Sequence, residues 1–152
     1  MSTIKANSKS SARTVLFAYG TLVEPEVMQA LLGRVPPSLP ACIRDHAAYR
    51  MRDGVYPGLV REPGQDTDGL LYVSIKAGEM QLIERFEDED YERAREPVID
   101  VRGCSRPALF YRIPELRRHL LSEQRWDPAA FRREHLSAYV EMCLSFRTRH
   151  HA

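Results

Sequence analysis

Short apolar runs separated by turn residues dominate the hydrophobic pattern of this chain. Runs of this length that are rich in Val, Ile, Leu, Tyr and Phe are typical of β-strands. The polar stretch 62–68 predicts a loop between two of them. The pattern predicts five to seven short strands, drawn from residues 15–19, 41–52, 56–60, 69–75, 98–101 and 108–113.

Three further segments have the spacing and boundary residues of helices. Pro25 begins the first, since proline is favoured at the first helical position, and Gly33 predicts its end. The second is predicted over residues 77–87. Asp127 caps the third, which is predicted to continue to about Arg147. Because strands and helices do not alternate regularly, we predict an α+β fold with a mostly antiparallel sheet that can close on itself.

The length of 152 residues predicts a single domain. Residues 1–13 are polar and are predicted to form a disordered tail, which lacks the apolar centre of a secretory signal. The folded domain is predicted over residues 14–147, and residues 148–152 are predicted to fray.

Composition argues against several classes of partner. The chain has 22 basic and 21 acidic side chains, and a net charge of +1 gives no basis for a nucleic-acid-binding surface. No apolar run reaches the roughly 20 residues that a membrane span needs.

The three cysteines form no CxxC pair and favour a reducing, cytoplasmic compartment. The histidines show no HExxH or HxH pattern, so we expect no metal site. The oligomeric state stays open.

The turn Tyr19-Gly20-Thr21-Leu22 is the first candidate site, between a predicted buried strand and a predicted helix. A glycine here allows a sharp turn and lets a ligand approach the main chain closely. Free N–H groups at a helix start favour anions such as a carboxylate. The alternative is that Gly20 only makes the turn and Tyr19 packs in the core. No GxGxxG or GxxxxGK[ST] motif occurs, so a nucleotide-binding loop is not indicated.

Glu87 is the second candidate. At 100° per residue it falls inside the apolar sector of the predicted second helix, between Met80 and Ile83. Burial and the negative end of the helix dipole both raise the pKa of such a carboxyl, which can then exchange protons near neutral pH. The alternative is that the helix ends earlier and Glu87 points to water or pairs with Arg93.

Four segments together resemble the gamma-glutamylcyclotransferase-like superfamily. The opening LFAYGTLVEPEVMQALLG resembles its first strand followed by YG[ST]L. The segment LIERFEDEDYERAREPVIDV resembles its stretch of the type L-D-x-[FY]-E-G-x-x-Y-x-R, and YPGLV and GLLYVSI look like its intervening strands. The resemblance covers roughly residues 14–146.

This resemblance implies a small β-barrel with flanking helices and a pocket at its mouth. It implies conversion of a γ-glutamyl amide, either a γ-glutamyl-amino acid or a γ-glutamylamine, to 5-oxoproline and a free amine. Such a reaction is an intramolecular acyl transfer of the lyase type and needs no cofactor. Glu87 matches the catalytic glutamate, acting as general base and then general acid. The residues implied to lie at the substrate site or its rim are Tyr19, Gly20, Thr21, Leu22, Tyr91 and Arg93.

Two positions depart from the superfamily pattern. Asp88 stands where relatives usually have Gly, and Glu84 where they often have Asp. Negative charge beside Glu87 should raise its pKa further. Asp88 also favours an alternative of a different class, a ligand-binding or interaction module that kept the barrel and lost turnover. Within the superfamily, relatives also act on γ-glutamyl-ε-lysine or remove γ-glutamyl protecting groups, and the sequence does not choose among these substrates.

Overall fold

A computed structural model of the chain describes residues 12–150. The predicted tail therefore lies outside the described residues except for Ala12 and Arg13. Within the described range the strands are β1 (Arg13–Ala18), β2 (Ser38–Met51), β3 (Pro57–Lys76), β4 (Glu92–Asp100), β5 (Ser105–Arg112) and β6 (Leu121–Arg125). The helices are α1 (Pro25–Leu32), α2 (Ala77–Phe86), α3 (Pro128–Glu134) and α4 (Leu136–His150), with 3-10 turns at Thr21–Val23 and Glu115–Leu120.

Five of the strands close into a barrel. They lie in the order β3-β1-β5-β4-β2, and β2 pairs again with β3. The β1–β5 pair is parallel and the other pairs of the ring are antiparallel. β6 lies outside the ring, beside β2. The structure confirms the predicted α+β class and the mostly antiparallel barrel with flanking helices.

β1 is buried on both of its faces. Leu16 packs with Leu31 of α1 in the cluster between barrel and helices. Phe17 packs with Leu71 and Phe110 in a second cluster formed by the strands. Because successive strand residues face opposite sides, an apolar run without alternation is expected for such a strand. Packing on both faces therefore fixes the position of β1 and of the turn that follows it.

Residues 62–68, which the sequence predicts as a loop, belong to β3. The loop prediction is wrong, although residues 62–65 bulge out opposite Asp45 alone on β2. Asp45 and Gly64 have φ angles of 59° and 85°, and the Gly64 N–H donates to Asp45 Oδ1 over 2.9 Å. This part of the ribbon is exposed, so no hydrophobic alternation marks it as a strand.

The predicted third helix is divided into α3 and α4 at His135, which has a φ of −127°. The backbone hydrogen bond from His135 N–H to Phe131 O is 2.8 Å, and that from Tyr139 N–H to His135 O is 3.0 Å. The chain therefore bends at this point while its hydrogen bonding continues. α4 extends to His150, so residues 148–150 of the predicted frayed end are helical.

α4 packs against α1 beside the barrel. Tyr139 and Cys143 are buried in the cluster that also contains Leu31. The guanidinium of Arg147 lies over Gly33, whose left-handed φ of 83° ends α1 at the predicted position. This packing sets the direction in which the other face of α4 points.

Candidate active site

A cavity of about 520 Å³ lies at the end of β1. Its wall is formed by the residues after β1, by residues 54–57 before and at the start of β3, by the end of α2 and by α4. Most of the lining side chains are aromatic or apolar, and the charged ones are Glu87, Asp88 and Arg149. The volume and the mixture of apolar walls with a few polar groups are typical of small-molecule sites.

The turn after β1 is held from several directions. The N–H of Val23 donates to Gly20 O and that of Glu24 to Thr21 O, each over 3.1 Å. The hydroxyl of Tyr72 donates to Leu22 O over 2.6 Å. Thr21 Oγ1 is hydrogen-bonded to the Tyr139 hydroxyl of α4 over 3.2 Å. The main chain of this turn is therefore fixed on the barrel side and on the helix side.

The amide N–H groups of Gly20, Thr21 and Leu22 remain available. In the part of the chain that the structure describes, none of them donates in the backbone bonds of turns and caps or to a side chain. All three residues line the cavity. Amides that start a turn without internal partners can receive an anion, so the turn can bind a carboxylate or a developing oxyanion.

Gly20 approaches Pro57 too closely for a side chain. A Cβ at Gly20 would stand 2.6 Å from Pro57 Cγ. The proline ring is rigid, and Pro57 O also accepts a hydrogen bond of 2.5 Å from the Tyr91 hydroxyl. The close contact places the turn directly against the opposite wall of the cavity.

We expect Gly20→Ala to lower the free energy of unfolding by about 1–3 kcal/mol, because the methyl group forces the turn or Pro57 to move. Urea unfolding measures the effect. Gly78→Ala on α2 is the matched control, since a Cβ there meets no atom within 4 Å and alanine is the better helix former. A Gly20→Ala protein as stable as wild type would contradict the close approach.

Glu87 directly follows α2, which ends one residue earlier than predicted. Its N–H donates to Ile83 O over 2.9 Å, and its backbone is already extended. The side chain lines the cavity. Among the described residues no hydrogen bond or ion pair reaches its carboxylate, and Arg93 pairs with Glu84 instead. The inward orientation predicted from the helical spacing is therefore the one observed.

Burial is the main electrostatic influence on Glu87. Solvent reaches part of the side chain, but protein atoms surround the carboxyl on most sides. This burial, followed by the charge of Asp88, raises the pKa of Glu87 to about 7. The carboxylate also acts on the phenols around it, because it contributes, after burial, to the raised pKa values of Tyr19 and Tyr91. Glu87 is thus placed to exchange protons near neutral pH.

We expect Asp88→Asn to lower the pKa of Glu87, because the substitution removes a negative charge from beside a buried carboxylate. Carbon-13 NMR of the Glu87 carboxyl carbon during a pH titration measures this pKa in wild type and in Asp88→Asn protein. Glu89→Gln is the matched control, since that charge makes no contribution to the pKa of Glu87. An unchanged titration midpoint in Asp88→Asn would contradict the influence of Asp88.

Tyr111 is a cavity residue that the sequence does not single out. Its hydroxyl is buried and has no hydrogen-bond partner in the described structure, whereas Tyr19 donates to Tyr111 O over 2.6 Å. Burial and the charge of Glu87 raise the pKa of Tyr111 to about 12, against a lowering influence of Arg93. The phenol therefore stays protonated and can donate to a ligand. The sequence predicts a strand at this position, but no motif distinguishes Tyr111 as a site residue.

The structure brings most of the sequence-predicted site residues together. Arg93 is the exception: 58% of its side chain is exposed, its partner is Glu84, and it is not part of the cavity wall. The predicted residues that line the cavity are Tyr19, Gly20, Thr21, Leu22, Glu87 and Tyr91.

Two other structural features bear on function. Within residues 12–150, no group of three or more His, Cys, Asp or Glu side chains is arranged to hold a metal ion. No helix in the same range combines the length and the apolar character of a membrane span.

Comparison with known families identifies the chain at the family level. Residues 16–128 match the family model described as gamma-glutamyl cyclotransferase, AIG2-like. The chain belongs to this family. Membership supports a cyclotransferase-type function and agrees with the resemblance inferred from the sequence motifs.

Individual relatives are more distant. AIG2-like protein C of Arabidopsis thaliana is 35% identical over 78 residues, which are 51% of this chain and 45% of that protein. AIG2-like protein D of the same plant is 29% identical over 84 residues, 55% of each chain. The chain thus spans about half the length of these curated relatives.

Solved structures share the fold. A solution structure from Arabidopsis thaliana has a TM-score of 0.66 at 22% identity, and the match covers 91% of this chain and 82% of the chain in that structure. A structure named gamma-glutamyl cyclotransferase has a TM-score of 0.58 at 12% identity and covers 68% of each chain. At these identities the similarity establishes the barrel architecture alone.

Proposed function

We propose that the protein is a gamma-glutamylcyclotransferase, which converts a γ-glutamyl amide to 5-oxoproline and a free amine. The observation that carries this proposal is the pairing, within one cavity, of a carboxyl whose pKa is about 7 with unpartnered main-chain N–H groups at Gly20, Thr21 and Leu22. One group can move protons and the other can bind negative charge, and this reaction requires both.

The reaction begins with the removal of a proton from the α-ammonium group of the substrate by Glu87. The neutral nitrogen then attacks the substrate's own γ-carbonyl carbon and closes a five-membered ring. Holding the substrate in this folded geometry supplies much of the rate enhancement, because the attack is intramolecular. The bond between the carbonyl carbon and the leaving nitrogen breaks as Glu87 returns the proton to that nitrogen. The ring nitrogen gives up its second proton, by way of the again ionised Glu87, to the released amine, so 5-oxoproline keeps one N–H and the amine leaves as an ammonium ion.

The free N–H groups of the turn have two compatible tasks. They can hold the α-carboxylate of the glutamyl group, and they can stabilise the oxyanion that forms during ring closure. Tyr111 offers one further donor beside Glu87. No residue outside the cavity is needed for these steps.

The decisive experiment is to incubate the full chain with a panel of γ-glutamyl-amino acids and γ-glutamylamines, including γ-glutamyl-ε-lysine, and to detect 5-oxoproline by mass spectrometry. An N-acetylated γ-glutamyl compound is the matched control, since its blocked nitrogen cannot cyclise. Release of glutamate instead of 5-oxoproline would identify a hydrolase. Binding of these compounds without any turnover would identify the non-catalytic module.

The backbone at Asp88 does not need a glycine, so the aspartate at this position gives no conformational reason to expect lost activity. Glycine is favoured where φ is positive, and Asp45 is the only non-glycine residue of the described chain with a positive φ. Asp88 therefore keeps an ordinary conformation, and its Oδ1 accepts a hydrogen bond of 2.9 Å from the Asp90 N–H. We also propose a cytoplasmic location, which agrees with the free thiols of Cys42, Cys104 and Cys143.

A further inference from the structure

The outer wall of the cavity is supplied by α4. Tyr139, Met142, Phe146 and Arg149 recur at intervals of three or four residues, and all four line the cavity. Side chains with this spacing share one face of a helix. The family match ends at residue 128, before α4 begins. This wall therefore lies outside the residues that the family model matches.

The apolar part of this wall forms a continuous aromatic surface. The rings of Phe86 and Phe146 have centroids 5.2 Å apart, and those of Phe86 and Tyr139 are 6.0 Å apart. Met142 extends the surface and is 46% exposed. Phe86 immediately precedes Glu87, so the aromatic surface adjoins the proposed general base. A substrate whose scissile amide lies at Glu87 would place its amine half against this surface.

Arg149 is the one basic residue among those that line the cavity in the described chain. No hydrogen bond or ion pair connects it to another described residue, whereas Arg147, two positions earlier, lies over Gly33 away from the cavity. The remaining charged lining residues, Glu87 and Asp88, are acidic. An unpartnered guanidinium at the outer wall is suited to bind an anionic group of a ligand.

We propose that α4 selects the amine half of the substrate, and that Arg149 and the aromatic surface are its specificity determinants. The substrate class is a γ-glutamyl-amino acid with an apolar side chain, which contacts Phe146 and Met142 while Arg149 binds its carboxylate. The N–H groups of the turn after β1 are occupied by the glutamyl half of the substrate, so the carboxylate of the amine half needs a separate binding group. This inference rests on the proposed function, because that function defines which half of the substrate reaches α4.

Two compounds that differ only in this carboxylate test the role of Arg149: γ-glutamyl-phenylalanine and γ-glutamyl-phenethylamide. We expect wild type to favour the first by about fivefold or more in kcat/KM, mainly through KM, as an ion pair of this kind allows. In Arg149→Gln the preference should fall to within about twofold. Arg149→Lys should keep part of it, and Arg147→Gln should keep all of it. A preference near one in wild type, or one that survives in Arg149→Gln, overturns the inference.

Binding measurements separate this inference from the proposed function. Titration calorimetry of both compounds against Glu87→Gln protein reports the carboxylate preference without turnover. If neither compound is converted by wild type but the binding preference depends on Arg149, the proposed function fails and the selection by α4 stands. If 5-oxoproline forms equally from both compounds, the proposed function stands and the selection fails. Binding of neither compound overturns the inference.

The aromatic surface has its own test within the same assay. We expect γ-glutamyl-glycine, which has no side chain to contact Phe146, to show a kcat/KM about tenfold below that of γ-glutamyl-phenylalanine. Equal values for the two compounds would show that the surface does not contact the substrate.

Discussion

Purified Glu87→Gln protein is expected to form 5-oxoproline at least about a thousandfold more slowly than wild type, because it lacks the group that removes and returns the proton. Glutamine keeps the shape of the side chain and cannot accept a proton from the substrate. The measurement is the initial rate of 5-oxoproline release at saturating substrate. The main-chain donors at Gly20, Thr21 and Leu22 are untouched, so substrate binding should be largely retained.

The control for this loss is Glu84→Gln, which removes an exposed carboxylate from α2, three residues before Glu87. Glu84 pairs with Arg93 and does not line the cavity. Its replacement should leave turnover near the wild-type rate. Release of 5-oxoproline by Glu87→Gln at the wild-type rate is incompatible with Glu87 as general base, whatever the effect on KM.

The same Glu87→Gln substitution is expected to stabilise the fold at alkaline pH. Glu87 has a pKa of about 7 in the folded chain, against an ordinary value of 4.5. Between these values the folded state binds more protons than the unfolded state, so wild-type stability falls as the pH rises through this window. Above it the cost of the buried charge reaches about 3 kcal/mol, which glutamine does not incur.

Chemical unfolding at a series of pH values measures this difference. The free energies of unfolding of wild type and Glu87→Gln should differ by a small constant below pH 4.5 and diverge up to pH 7 and beyond. Glu84→Gln should show no such divergence, because that carboxylate is exposed. A difference that does not change with pH would mean that the Glu87 carboxyl has an ordinary pKa in the folded protein.

Local patterns in the sequence predicted the two halves of the candidate site. The apolar run of β1 and the glycine after it marked the turn, because a strand buried on both faces and a sharp turn each have local signatures. The helical spacing of Met80, Ile83 and Glu87 predicted the inward carboxyl, since residues three or four positions apart share a helix face. Glu87 lines the cavity although it is the first residue after α2. Both inferences depend on residues close together in the chain.

The parts that were missed depend on distant residues. Residues 66–68 and the short strand β6 owe their strand structure to pairing with β2, and their exposed side chains show no alternation. Arg149 lies beyond the predicted end of the last helix, where a basic residue looks like a solvated terminus. The bend at His135 and the packing of Arg147 over Gly33 decide which face of α4 meets the cavity, and neither has a sequence signature.

The division of the cavity wall between the barrel and α4 has an evolutionary consequence. The barrel and α2 position Glu87 and the turn after β1, while the 15 residues of α4 supply the outer wall and are joined to that turn through the Thr21–Tyr139 hydrogen bond. Under the proposed function, a lineage can therefore change α4 and accept other γ-glutamyl compounds while Glu87 and the turn after β1 stay the same. Such a change would have to keep Tyr139, because its hydroxyl is hydrogen-bonded to Thr21 in the turn.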